Sequence, residues 1–144
     1  AEGTTQEQWR EYVRDRRPGI AFAPRAFISA ATGEGVLELI RLAQALHEQS
    51  FVRVSTGDLI GAIKEITDRR RPPSTRSRQS KIYYATQVGV KPPTIVMFCN
   101  YPHLIKANYL RYLGAQLRQR FPFTSIPIKF FVRGRTHEPG QRKK

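Results

Sequence analysis

One cysteine in 144 residues excludes an intrachain disulfide framework and a cysteine-rich zinc site. Cys99 lies inside an apolar run and reads as a small buried hydrophobe rather than a nucleophile. A reducing, cytosolic compartment is the expectation. No apolar run approaches the ~20 residues that span a bilayer, and no signal-peptide pattern follows Ala1. There is no His-x-x-x-His pair, no Gly-x-Ser-x-Gly and no pair of carboxylates on one helix face. His47, His103 and His137 are scattered, so no catalytic residue and no metal site is assigned. The phosphate loop Gly-x-x-x-x-Gly-Lys-Ser/Thr is absent. Asp58–Gly61 matches the Asp-x-x-Gly switch pattern of nucleotide-binding proteins, but it opens a helix with no phosphate loop before it and is read as chance.

Acidic residues are also scarce, 11 against 25 lysines and arginines, for a net charge of +14. The imbalance is confined to one part of the chain. Residues 1–49 carry six basic and seven acidic side chains, whereas residues 50–144 carry nineteen and four. Such asymmetry marks two units with different partners. The second unit should seek polyanions, with RNA the first expectation.

What is present organises around the stretch Pro102–Arg120. Leu110, Leu113 and Leu117 recur on one side of a helical wheel, with Ala107, Gly114 and Phe121 beside them. Asn100 is the expected cap, Pro102 fits the first turn and Pro122 stops the helix. Before it, Thr94–Asn100 is apolar on both faces and reads as a central strand. After it, residues 126–133 alternate, with Ile128, Phe130 and Val132 on one face. Strand, helix and strand in this order predict a split unit with the helix packed on a sheet.

In chain order, Thr4 or Thr5 caps a helix to about Arg16 with Trp9, Tyr12 and Val13 as its apolar side. Residues 26–30 read as a short buried strand, Thr32–Gly35 as a turn, and Val36–Gln49 as a second helix. One strand cannot make a sheet, so residues 1–49 are expected to dock on something outside them or to be the end of an α/β domain cut before Ala1. Ser55 or Thr56 caps a third helix carrying Leu59, Ile63 and Ile66, which breaks at Pro72 and Pro73. Arg69–Lys81 is a basic linker without apolar residues. Residues 81–88 form a strand rich in β-formers, joined through Gly89–Pro93 to the central strand as an antiparallel hairpin. Tyr83, Tyr84, Tyr109 and Tyr112 are read as packing residues with a hydroxyl handle rather than base platforms. The fold class is α/β (α+β): helix, strand, helix over residues 1–49, then an α-β-β-α-β domain on a three-stranded sheet over residues 50–144, ending in a basic tail.

Two sets of residues carry a resemblance. Phe27–Val36, with Ser29-Ala30-Ala31 at its centre, resembles the strand, small-residue turn and helix start that approach the guanine base in translation-factor-type GTPases. Lys81–Gln87, Pro92–Thr94, Asn100, Tyr109–Tyr112, Gln116–Arg118, Phe121, Pro127 and Ile128 resemble the C-terminal region of the Der (EngA) family of bacterial GTPases. That family has two G domains followed by a KH-like domain and acts in large ribosomal subunit assembly. The resemblance covers nearly the whole chain. It implies that residues 1–49 are the end of a P-loop G domain and residues 50–144 a KH-like domain. It implies that Ser29, Ala30 and Ala31 line the guanine pocket of an intact parent. That parent would use GTP and Mg²⁺, while this segment alone holds neither and is not catalytic. The implied partners are the large ribosomal subunit with its rRNA and the G domains of the same chain, in the bacterial cytosol and without a membrane span. Two departures stand out. Ala31 replaces the common lysine, and no glycines are spaced Gly-x-x-Gly, the loop that clamps nucleic acid in ordinary KH domains. RNA contact is therefore expected from charge: Arg69, Arg70, Arg71, Arg76, Arg78 and Lys81, with Arg111 and Arg118. The alternative is a free-standing basic RNA-binding or ribosomal protein without nucleotide chemistry. A membrane-surface protein is disfavoured because an exposed basic amphipathic helix is lacking.

Overall fold

The computed structural model describes residues 5–134. Helix α1 spans Gln6–Arg16 and opens on a capping box in which the Thr5 and Gln8 side chains each accept the other's backbone N–H. Helix α2 spans Val36–Ser50, and α3 spans Thr56–Arg69 with the Ser55 hydroxyl accepting the Asp58 N–H at 3.1 Å. Strands β1 (Ile82–Gly89) and β2 (Thr94–Cys99) form the expected antiparallel hairpin. Helix α4 (Ala107–Arg120) then crosses over to β3 (Lys129–Gly134), which runs parallel to β2. The sheet order is β1-β2-β3, so the expected central strand is central.

Both α3 and α4 supply the core with their apolar stripes. Leu59, Ile63 and Ile66 of α3 and Leu113 and Leu117 of α4 are buried with Ile95, Met97 and Cys99 of β2. Only alternate residues of β2 are buried, and Val96 and Phe98 are half-exposed. The strand is thus apolar on both faces but fully covered on one. Tyr109 is 3% exposed and Tyr112 half-buried, as packing residues. Glu65 of α3 accepts a 2.6 Å hydrogen bond from Arg120 of α4, which ties the two helices across their solvent side and holds the Glu65 carboxyl below its usual range.

Four expectations change. No strand forms at residues 26–30; the segment carries no ladder hydrogen bonds because no neighbouring strand lies beside it among the described residues. Pro102–Leu104 is a separate 3-10 turn, and α4 starts only at Ala107 after Lys106, without a side-chain cap. Asn100 is engaged elsewhere. Strand β3 begins at Lys129 rather than Ile126, because its ladder partner β2 begins at Thr94, the residue that pairs with Lys129; Ile126 is buried in the loop before it. Finally, Tyr83 and Tyr84 are both exposed, at 46% and 43%. The register slips between Ile82 and Tyr84, so Tyr83 is the extra residue of a bulge and the two rings leave strict alternation.

No described residue of 5–51 is buried. Of the apolar sides expected of α1 and α2, Trp9, Tyr12, Val36, Leu37 and Ile40 remain exposed, whereas Val13 is half-buried and Leu46 packs against the core of the second half. Tyr12 and Trp9 pack edge-on against each other.

Candidate nucleic-acid interface

Helix α3 ends where Pro72 and Pro73 forbid its continuation, and the Arg70 backbone turns extended. The Tyr109 hydroxyl of α4 donates to the Arg70 carbonyl at 2.7 Å and fastens this exit. Burial first, and the neighbouring Tyr112 second, push the Tyr109 phenol up to about 12. The Arg70 guanidinium lies over the Tyr112 ring at 4.9 Å. Pro72 is buried.

The following segment is an ordered loop rather than a linker free of packing. Thr75 and Arg78 exchange backbone hydrogen bonds of 2.9 and 3.4 Å, and Ser74 bridges to Gln79. Asn100, at the end of β2, closes the loop. Its Nδ2 donates to the Gln79 carbonyl at 2.8 Å and its Oδ1 accepts the Lys81 N–H at 2.8 Å. The basic run is therefore clamped at both ends, by α4 and by β2, with Arg76 and Ser77 at its tip.

Arg69, Arg70, Arg71, Arg76, Arg78 and Lys81 are all exposed. Among the described residues none of the six forms an ion pair within 4.0 Å. Arg78 and Lys81 instead lie near the faces of Tyr101 and Tyr83, at 5.6 and 5.9 Å. A clamped loop of unpaired guanidinium groups suits a phosphate backbone: planar forks that make two hydrogen bonds at once, held so that less entropy is lost on contact.

Arg111 and Arg118 are not brought to this loop. They line a separate groove against residues 19–22. Arg111 is exposed there, but Arg118 is turned inward. Its Nε donates to the Ile126 carbonyl at 3.1 Å, its guanidinium stacks on Phe22 at 3.7 Å, and burial lowers its pKa. The structure uses Arg118 to join residues 19–22 to α4.

Ser29, Ala30 and Ala31 sit in a tight turn far from any basic cluster in sequence. The Ser29 N–H donates to the Glu34 carbonyl at 3.0 Å, and the Gly33 N–H to the Ser29 carbonyl at 2.8 Å. Ala30 and Ala31 are exposed, and their amides have no intrachain acceptor among the described residues. Gly33 and Gly35 are left-handed, and a Cβ on Gly35 would collide with the Phe27 carbonyl oxygen. Such a loop lets a flat ligand approach its backbone. Among the described residues no group of three or more His, Cys, Asp and Glu gathers as a metal site. His137 and the basic tail after Gly134 lie outside the described residues.

Sequence reasoning missed Asn100 and the Tyr109 hydroxyl as the clamps of the basic loop. Their partners lie 19 to 39 residues away along the chain, and no local pattern marks them.

Residues 53–133 match the family described as KH-domain-like of EngA bacterial GTPase enzymes, C-terminal. Among curated proteins, the chain is 45% identical over 132 residues to GTPase Der of Moorella thermoacetica, covering 91% of this chain and 30% of the relative. It is 40% identical over 134 residues to GTPase Der of Ruminiclostridium cellulolyticum, covering 93% and 30%. The GTPase Der of Rhodopirellula baltica is 34% identical over 138 residues, covering 96% and 30%. The chain spans about 30% of the length of these relatives.

Proposed function

This chain belongs to the KH-domain-like C-terminal family of EngA bacterial GTPases, and we propose that it is the RNA-contacting end of a GTP-binding factor that acts in assembly of the large ribosomal subunit. Residues 50–144 are the module that touches rRNA and packs on the G domains. Residues 1–49 are the end of a G domain, with Ser29, Ala30 and Ala31 on the base side of its guanine pocket. The factor works in the cytosol, where its ribosomal partner is. Among the described residues no helix is long and apolar enough to cross a membrane.

The observation that carries the RNA reading is the clamped loop of exposed, unpaired cations at Arg69–Lys81. A flexible tether would be left unpinned, whereas this loop is closed by Asn100 and fastened by Tyr109. The uncovered sides of α1 and α2 support the division of the chain, because Trp9, Leu37 and Ile40 are surfaces that a G-domain sheet would cover. The Ser29–Glu34 turn fits the base of a nucleotide through small side chains and free amides. It supplies nothing for phosphates or Mg²⁺, which residues outside these 144 would hold. GTP with Mg²⁺, when bound there, would supply the phosphoanhydride hydrolysis that cycles such factors.

The test is a pair of titrations on the 144-residue chain. Large-subunit rRNA fragments should bind saturably, and a fluorescent GTP analogue should not bind in the micromolar range. Micromolar nucleotide binding by this chain alone would remove the G-domain assignment of residues 1–49. Failure to bind rRNA fragments at low salt would remove the RNA assignment of residues 50–144.

A further inference from the structure

A groove of about 750 Å³ lies beside the basic loop, walled by α3 on one side and by β1 and the end of the loop on the other. Its volume is within the range of small-ligand sites, about 300–1,000 Å³. We propose that this groove is a subsite for single-stranded RNA, in which Tyr83 carries a base and the Ser80 hydroxyl bonds the same nucleotide. The proposal rests on the RNA reading above and adds to it a place where bases, not only phosphates, are held.

Three independent features meet there. The first is Ser80. It lines the groove and is 2% exposed, and its Oγ is the one buried side-chain oxygen or nitrogen without a hydrogen-bond partner among the described residues. Buried hydroxyls are otherwise almost always paired, so an orphan in the wall of a groove points to a ligand. The second is the bulge at Tyr83. It sits on β1, an edge strand with one side unpaired, and leaves Tyr83, a residue lining the groove, 46% exposed. A packing role does not require that exposure; a platform for a base does. The third is charge. Lys64, Arg71 and Lys81 border the groove against the single carboxylate of Asp68. Three cations to one anion, beside an exposed tyrosine whose ring lies 5.9 Å from the Lys81 ammonium, favour a nucleic-acid strand over a neutral extended peptide, which would use the β1 edge but leave the cations without counter-charges.

The subsite lies on the α3 and β1 side of the domain, apart from the groove that holds Arg111 and Arg118. It does not use a Gly-x-x-Gly clamp, which the chain lacks.

The experiment measures binding of short single-stranded RNA homopolymers to the full 144-residue chain, with backbone amide shifts followed by NMR. Wild type should show shifts confined to the groove, centred on Ser80–Ala85. Tyr83→Ala should weaken binding about 5- to 150-fold, the range for losing one base stack, while Tyr83→Phe keeps the ring and restores it. Ser80→Ala should weaken binding about 2- to 12-fold, as for one hydrogen bond; a merely structural serine would leave RNA affinity unchanged. The salt dependence should be the same in all three variants, because each keeps every cation that meets a phosphate. If RNA still binds through the arginine loop but Tyr83→Ala is silent and the shifts avoid the groove, the subsite is overturned and the RNA reading stands. If an acidic extended peptide occupies the groove and RNA does not, the subsite is likewise overturned. If no RNA binds the chain at all, the underlying reading falls with it.

Discussion

Leu117 is fully buried in α4, between the sheet and α3, and its truncation to alanine measures how much of the domain rests on that helix. The substitution removes three carbons from an apolar site. At about 0.8 kcal/mol for each buried methylene the transfer loss is about 2.4 kcal/mol. The cavity adds to this, because its walls cannot close. Leu113 on the same helix, Leu59 and Ile66 on α3 and Ile95 and Met97 on β2 are buried in the same cluster, and the Glu65–Arg120 hydrogen bond ties α4 to α3. Leucine-to-alanine changes at such sites cost about 2–5 kcal/mol, more where the site cannot collapse, so Leu117→Ala should cost about 3–4 kcal/mol. Urea unfolding followed by circular dichroism should show a midpoint lowered by about 1–4 M at unchanged slope. Arg111→Ala, on the exposed side of the same helix, is the control and should stay within about 0.5 kcal/mol. A Leu117→Ala cost no larger than that of the control would refute the packing of α4 on the sheet.

Three further outcomes follow from single groups. Tyr109 is an acid whose folded pKa is raised to about 12 from 10.0, so the stability it contributes is complete below pH 10 and lost as pH rises toward 12. Tyr109→Phe should remove that alkaline loss, and at neutral pH it should cost about 0.5–1.5 kcal/mol for the bond to the Arg70 carbonyl; unfolding free energy measured against pH tests both. Glu65 is lowered from 4.5 by its hydrogen bond to Arg120, so its contribution is present above pH 4.5 and disappears as pH falls through the lower folded value. The Tm of Glu65→Gln should therefore lie below wild type at neutral pH and converge with it in acid. The Cys99 thiol is fully buried and its pKa is pushed up by burial, so an aromatic disulfide reagent should label it only as fast as the domain opens.

The second half of the chain was legible because its elements carry strong periods. The stripe of Leu110, Leu113 and Leu117 and the alternation of Phe130 and Val132 are set by which side must be apolar, and burial follows them. Boundaries failed where the decision is tertiary. Asn100 has the right chemistry for a helix cap, but its amide is used to close the Gln79–Lys81 end of the loop. The strand expected at residues 26–30 has strand composition yet no neighbour to pair with among the described residues, and a strand exists only as one member of a pair. The bulge at Tyr83 depends on how β1 meets β2 and leaves no mark in the local sequence. The candidate interface was half legible: the cluster Arg69–Lys81 is visible as charge, while Arg118 is also a cation and is turned onto Phe22 and Ile126. Charge identifies a residue that can meet a phosphate, and only packing decides whether it faces outward.

The central claim is that the clamped basic loop grips an RNA backbone. Its most direct test is the slope of log K against log salt for the 144-residue chain on large-subunit rRNA fragments, compared with a variant in which Arg69, Arg70, Arg71, Arg76 and Arg78 are glutamine. Every phosphate that the variant no longer neutralises should flatten the slope by about 0.7–0.9, and affinity should fall by a similar factor on every RNA sequence, because phosphate contacts carry no base information. A loop that neutralises several phosphates predicts a change of about 2–4 in the slope. An unchanged slope, with RNA still bound, would contradict the account and assign the grip to basic side chains elsewhere.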